Sequence, residues 1–464
     1  MRSFFQDFIK DDDGVITHCK MHDIVHDFAQ FLTSDECVTL VVDNNIEEKL
    51  KLLDEKARHL CLEVGAGTEV LVMKYKRMNL KNLRSLLVLP YTGTISDDAS
   101  LFSDLVFIRT LTLRRCGIKK LPKSIGNLLY LRYLNLFGNE ELEELPETLC
   151  DLCNLQTLNL SYCFSLSRLP ERMEKLLNLK HLYLRQCFKL KGLPKGIGNL
   201  TCLQTLDMLT IPNYENKNKG EYFDIEDLEK MKSLQFGRGF HIKDCGNIKN
   251  VEDAKKIDLI NNDQISSLIL DFGRTEDRNN GFGDDIKILE ALEPHPNLKI
   301  LCIEDFMGAS LSPHPKWLMS LVNLKQIRLF SCVNCEILPS FGKLPFLKLL
   351  YVSHMNGVKT LGLEFYGIEE KKDQEDGDTE MDRLFIDSLL ILFPKLEKFY
   401  FGSMEQLEKW EWSNITSTIR IMSCLMHLKF GNCPSLQELP QFLQTITSLK
   451  QLSISECEIM EEHC

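Results

Sequence analysis

The chain has 464 residues, a formal net charge of -12 and 17 cysteines, with 44% of its residues hydrophobic. The negative balance argues against nucleic acid as an obligate partner, because phosphate binding wants a basic face. No run of about 18 apolar residues is present to span a bilayer. Residues 1–14 scatter Phe4, Phe5 and Phe8 among charges, without the apolar core of a signal peptide, so the cysteines read as free thiols in a reducing, cytoplasmic setting.

In chain order, residues 1–40 form a first object. Phe4 to Cys19 reads as a short helix, an acidic turn at Asp11-Asp12-Asp13-Gly14 and a strand over Val15 to His18. A second helix starts near Lys20, carries Ile24, Val25, Phe28, Ala29 and Phe31, and stops at Ser34-Asp35. This is too little to make a core and reads as the tail of a domain. Residues 41–105 are expected to be a linker with N-terminal repeats or a cap.

Residues 106–210 carry the strongest pattern. Leu111, Leu134, Leu158, Leu182 and Leu206 recur every 23 or 24 residues, each inside L-x-x-L-x-L or close to it. One such unit cannot bury its apolar face alone and must stack on a neighbour. Leu158 and Leu160 alternate with Thr157, Asn159 and Ser161, the mark of a short strand with one face buried. The pairs Leu121-Pro122, Leu145-Pro146, Leu169-Pro170 and Leu193-Pro194 end the inward run, since proline has no N–H to continue a ladder. An irregular or helical turn follows each. Strand inside and bulkier turn outside predict an α/β leucine-rich-repeat solenoid, a curved horseshoe with a parallel inner sheet.

Five residues after each central leucine stand Cys116, Asn139, Cys163 and Cys187, and later Cys332, Cys433 and Cys457. That site turns the chain inward and hydrogen-bonds neighbouring backbone, which Asn does well and Cys weakly while packing well. Residues 211–262 lack a clean repeat and read as an irregular spacer, with Val251, Ala254 and Ile257 at helical spacing. Residues 263–464 return to looser repeats. Their central positions are Leu268, Leu301, Ile327, Leu350, Phe399, Leu428 and Leu452, the interval from Leu350 to Phe399 being 49 residues. That interval holds residues 364–383, with nine acidic and three basic residues, expected to be a mobile acidic loop.

Alternation places a set of side chains on the solvent side of the inner sheet: Arg109, Thr112, Arg114, Asn135, Phe137, Asn159, Tyr183, Arg185 and Asp207, then Arg328, Lys348, Tyr351, Lys398, Tyr400, Lys429 and Ser453. Aromatic and arginine residues dominate protein interfaces, so this face is the expected partner-binding surface. Its basic and aromatic character on an acidic chain favours an acidic partner surface.

The string Cys19-Lys20-Met21-His22-Asp23-Ile24-Val25-His26-Asp27-Phe28-Ala29 resembles the Met-His-Asp motif of plant nucleotide-binding leucine-rich-repeat immune receptors, the disease resistance proteins, of the coiled-coil subclass. Arg58-His59-Leu60 and Leu83 to Leu89 resemble the opening of that family's repeat domain. Leu121 to Leu128 is similar to its intracellular repeat, and Leu234 to Ala254 to its recurring spacer. The resemblance implies that residues 1–40 are the C-terminal remnant of the winged-helix part of a nucleotide-binding module, and that the chain is an N-terminally truncated form. It implies ADP or ATP as the full-length cofactor, with His22 and Asp23 at the ADP phosphate. No G-x-x-x-x-G-K-[ST] loop occurs in this sequence, so no cofactor is expected in this chain itself.

The implied function is non-enzymatic: recognition of a pathogen effector or guarded host protein, and autoinhibition through the receptor's own nucleotide-binding module. A nuclear or membrane-peripheral location stays open beside the cytoplasm. The alternative is a generic leucine-rich-repeat scaffold or ubiquitination adaptor, which needs a recruitment segment not visible in residues 1–60. An extracellular ectodomain would need a signal peptide and paired capping cysteines, and the sequons at Asn159, Asn199 and Asn414 matter only there. His22-Asp23-Ile24-Val25-His26 has helical zinc spacing, but a metalloprotease needs Glu after the first histidine and a third ligand. The C-x-x-C pairs Cys150/Cys153 and Cys332/Cys335 read as structural or incidental thiols, and no G-x-S-x-G elbow marks a hydrolase.

Overall fold

The computed structural model describes residues 4–10, 16–42, 46, 56–64, 80–90, 102, 105–213, 222–231, 233–273, 283–311, 317–368, 390–411 and 419–461. The chain divides into two compact units, Met1–Leu190 and Lys191–Cys464.

The first unit opens on β1 (Phe5–Lys10), paired antiparallel with β2 (Ile16–Met21). Here the expectation of a helix is corrected. The register shifts between Gln6 and Ile9, and Asp7 takes φ 51°, so a bulge produces the helix-like spacing of Phe5 and Phe8. The expected acidic turn lies outside the described residues. Helix α1 (Asp23–Thr33) follows, capped by the His22 side chain and ending at Ser34; it buries no residue, and Ile24, Phe28, Phe31 and Leu32 stand exposed.

Seven parallel strands are described next: β3 (Cys37–Val42), β4 (His59–Val64), β5 (Ser85–Pro90), β6 (Thr110–Leu113), β7 (Tyr133–Asn135), β8 (Thr157–Asn159) and β9 (His181–Tyr183). Their register aligns Val38, Leu60, Leu86, Leu111, Leu134, Leu158 and Leu182. The last four are fully buried, each worth about 1.5–3 kcal/mol by burial. After the L-P pairs the chain makes 3-10 turns at Lys123–Asn127, Glu147–Asp151 and Met173–Lys175, which tuck Ile125, Leu149 and Met173 under the sheet. Neighbouring turns lie close: a Cβ on Gly126 would sit 2.5 Å from the Thr148 carbonyl oxygen.

The second unit holds nine further parallel strands among the described residues. They are β10 (Thr205–Thr210), β11 (Gln235–Lys243), β12 (Ser267–Asp271), β13 (Ile300–Glu304), β14 (Gln326–Phe330), β15 (Leu349–Ser353), β18 (Lys398–Gly402), β21 (His427–Gly431) and β22 (Gln451–Ser455). Two small parallel pairs lie apart from this run, β16 (Thr360–Leu361) with β19 (Lys409–Trp410), and β17 (Leu390–Leu392) with β20 (Ile419–Ile421). The register aligns Phe240, Leu268, Leu301, Ile327, Leu350, Phe399, Leu428 and Leu452, the positions read as central from the sequence plus Phe240.

Two features differ from expectation. Strand β11 lies inside residues 211–262; its run Gln-Phe-Gly-Arg-Gly-Phe-His-Ile-Lys hides the leucine spacing, and its pairing with β10 shifts register between Leu206 and Met208. Helix α2 (Val251–Lys256), capped by the Asn250 side chain, lies in the same segment. The expectation of a loop over residues 364–383 is corrected at its start. Leu363–Tyr366 is a helical turn that buries Phe365 and Tyr366 and is closed by Gly367 at φ 79°. Phe365 stacks near Phe399, which joins an aromatic core with Phe401, Trp410 and Phe430. Residues 369–383 lie outside the described residues.

Candidate recognition surface

A strand with alternate residues buried leaves its other side chains on the open face of the sheet. In the first unit Thr112, Asn135, Asn159 and Tyr183 stand in one register row. Arg109 and Arg114 are exposed at either end of β6, Arg185 is exposed after β9, and Phe137, Asn159 and Tyr183 are half-buried.

Three residues expected in solvent are buried. Thr112 is 7% exposed and Asn135 6%, since a short side chain on an inner strand has another strand about 4.8 Å away on each side. Asn135 is also used locally: its Nδ2 donates to the Tyr133 hydroxyl at 3.1 Å, and its Oδ1 accepts the Phe137 amide at 3.0 Å. Asn159 likewise accepts the Ser161 amide at 3.0 Å. Asp207 is 7% exposed and lies where the β10–β11 register shifts, packed near Gly237.

The turns after the strands add residues that alternation alone does not select. The Arg114 guanidinium lies 4.7 Å from the Phe137 ring and that of Arg115 5.6 Å. Phe137 meets Tyr162 at 4.9 Å, Tyr162 meets Phe164 at 6.0 Å, and Phe164 stacks on Phe188 at 5.7 Å. The result is a continuous arginine and aromatic ridge across four repeats. Arg115 and Tyr162 have φ of 51° and 63°, left-handed positions that turn the chain after the strand. The available signal was the recurrence of Phe six residues after Leu158 and Leu182. A second feature is also repeat-spaced: Arg84, Arg109, Arg132 and Lys180 are exposed just before their strands, and none sits in an ion pair among the described residues.

In the second unit Arg328, Tyr351, Tyr400, Lys429 and Ser453 form one row across β14, β15, β18, β21 and β22. The two tyrosine rings are 6.3 Å apart; Arg328, Tyr351, Lys398 and Lys429 are exposed and Tyr400 and Ser453 half-buried. Lys348 is held by Glu397 at 3.0 Å.

The inward-turn position behaves as its chemistry requires. Asn139 is fully buried; its Oδ1 accepts the amides of Cys116 and Ile118 at 3.0 and 3.1 Å, and its Nδ2 donates to the carbonyls of Leu113 and Leu136 at 2.9 and 2.7 Å. Cys163 and Cys187 offer only thiols, to the Leu136 and Leu160 carbonyls at 3.4 and 3.2 Å. Burial pushes the Cys116 and Cys163 thiols up to about 12. All the described cysteines are free, those of both C-x-x-C pairs included. No group of three or more His, Cys, Asp or Glu side chains suited to a metal ion occurs among the described residues.

His22 and Asp23 are exposed at the start of α1, where His22 Nδ1 accepts the Ile24 amide at 3.4 Å. No helix among the described residues is long and apolar enough to cross a membrane.

Residues 225–355 match a repeat family described as R13L1/DRL21 LRRs. A Solanum bulbocastanum protein named for disease resistance, RGA1, is 40% identical over 75% of this chain and 31% of its own length. An Arabidopsis thaliana protein also named for disease resistance is 32% identical over 99% of this chain and 30% of its own. Its homologues are plant disease resistance proteins. The chain spans about a third of the length of these relatives. Its parallel strands in register, one per repeat, are those of an α/β leucine-rich-repeat fold. Among solved structures, a Leptospira interrogans leucine-rich-repeat protein aligns over 90% of this chain and 88% of its own, at 19% identity and a TM-score of 0.43.

Proposed function

We propose that the chain is the recognition and autoinhibition part of a plant intracellular immune receptor of the nucleotide-binding, coiled-coil subclass, and that it has no enzymatic activity. The observation that carries this reading is the continuous ridge from Arg114 and Arg115 through Phe137, Tyr162 and Phe164 to Phe188. Aromatic and arginine side chains are enriched among interface hot spots, and the rings supply large contact area at low entropic cost. In the resting receptor the open face contacts the nucleotide-binding module. A pathogen effector or guarded host protein then binds that face and shifts the pre-existing equilibrium, through its different affinity for the two states. The setting is the cytoplasm.

The bare apolar face of α1 and the strand pair before it supports reading residues 1–40 as part of a winged-helix element of that module. His22 and Asp23 would then face the phosphate of ADP in the intact receptor. The chain by itself is expected to bind ADP more weakly than micromolar, since its sequence has no phosphate loop. Micromolar affinity by calorimetry would overturn that. The surface assignment is tested by Arg114→Glu, Arg185→Glu and Lys398→Glu in a full-length receptor. Loss of recognition or of the resting state is expected, and unchanged autoinhibition together with unchanged recognition would sink it.

A further inference from the structure

On the open face of β11, β12 and β13 sits a polar cluster of a different sign from the ridge and the tyrosine row. His241 stands in register with Ile269 and Cys302, and Asp271 with Glu304 on the adjacent strand. Asp271 Oδ1 accepts the Gly273 amide at 2.8 Å, which leaves Oδ2 turned toward His241. Glu304 Oε1 accepts the Cys302 thiol at 3.2 Å. Among the described residues no lysine or arginine is paired with either carboxylate: Lys243 is paired with Asp244 at 2.8 Å, and the exposed Arg328 beside Cys302 contacts Gln326 at 3.4 Å. Asp305 adds further negative charge.

His241 makes the cluster more than a group of acids. It is 3% exposed, yet among the described residues neither ring nitrogen has a hydrogen-bond partner, and its Nε2 lies 3.8 Å from Asp271 Oδ2. That is beyond hydrogen-bond length by more than half an ångström. Two carboxylates on neighbouring strands repel each other, and a cation placed over both would remove the repulsion and let Asp271 close onto the imidazole. We infer that Asp271 and Glu304, backed by His241, form a docking notch for one cationic side chain, an arginine or lysine, of a protein partner. The inference rests on reading the open face as a recognition surface, and it gives that surface a polarity. A partner would present its basic residue at β12 and β13, and its acidic or aromatic residues along Arg328, Tyr351, Tyr400 and Lys429.

The test uses the purified chain with labelled histidine side chains and N-acetyl-arginine amide as probe. The His241 ring signal, identified by its loss in His241→Gln, is expected to move saturably with probe concentration. N-acetyl-citrulline amide, the uncharged analogue, should bind at least about tenfold more weakly. Asp271→Asn and, as a second variant, Glu304→Gln should each abolish the saturable response while the remaining histidine signals stay in place. Burial pushes the Glu304 carboxyl up, so the response should fade on acidification above the usual carboxylate range. A response that does not saturate, that is equal with the citrulline analogue, or that survives either substitution overturns the notch. The probe titration needs no immune partner, so loss of the immune reading would leave its result unchanged.

Discussion

Asn139→Ala isolates what the one asparagine at the inward-turn position of the four regular repeats contributes. The side chain is fully buried and serves four backbone groups. The Leu136 carbonyl keeps other donors in the Asn139 amide and the Cys163 thiol, whereas the Cys116 and Ile118 amides lose the Oδ1 that holds both. A buried donor left without a partner costs about 1–3 kcal/mol, so two give about 2–6 kcal/mol, with about 3–5 kcal/mol as the working expectation. Asn139→Cys should cost roughly half of that, because Cys163 fills the equivalent place with its sulfur against the amides of Gly138 and Asn139. Urea unfolding followed by circular dichroism gives the stability difference, and hydrogen exchange locates it. The amides of Cys116 and Ile118 should exchange about a hundredfold faster in the alanine variant, since about 1.4 kcal/mol is tenfold. A loss under about 1 kcal/mol, or equal losses for alanine and cysteine, would refute the reasoning.

Leu158→Ala, at a fully buried central position, should cost about 2–5 kcal/mol in the same unfolding assay. Gly126→Ala should destabilise by about 1–3 kcal/mol although it adds one methyl, because the new Cβ meets backbone at Thr148; a neutral result would show that the turns can slide apart. Iodoacetamide at pH 8 followed by mass spectrometry should label exposed Cys153 and Cys202 and spare buried Cys116, Cys163 and Cys332. The same burial gives a pH dependence. Thiols pushed up to about 12 in the fold, against 9.0 for a free one, leave stability untouched below pH 9 and erode it as pH rises toward 12, because the unfolded chain loses those protons first. A flat stability profile between pH 8 and 11 would contradict that.

The sequence made the repeat register legible because a buried leucine and its pairing partners recur in step. Even the loosened C-terminal positions, including Phe399 after a gap of 49 residues, fall in line. Features set by departures from the period were not legible. The bulge at Asp7 made a strand look helical, and the glycines of β11 concealed a nine-residue strand. Alternation put Thr112 and Asn135 in one row of the sheet but could not show that they are buried there. Alternation selected Arg114 and Phe137 of the ridge, but Arg115, Tyr162, Phe164 and Phe188 sit in turns, where period-two reasoning has no force, and the His241 notch joins three strands that share no motif.

β15 pairs directly with β18 although 49 residues separate Leu350 from Phe399. The sheet therefore accommodates a long excursion between two adjacent rungs when the chain returns in register, since each doubling of loop length costs only about 0.6 kcal/mol more. The excursion is also part of the core, because Phe365 and Tyr366 within it are buried and Phe365 stacks by Phe399, so a change in its length spares the rungs on either side only where those two rings keep their places.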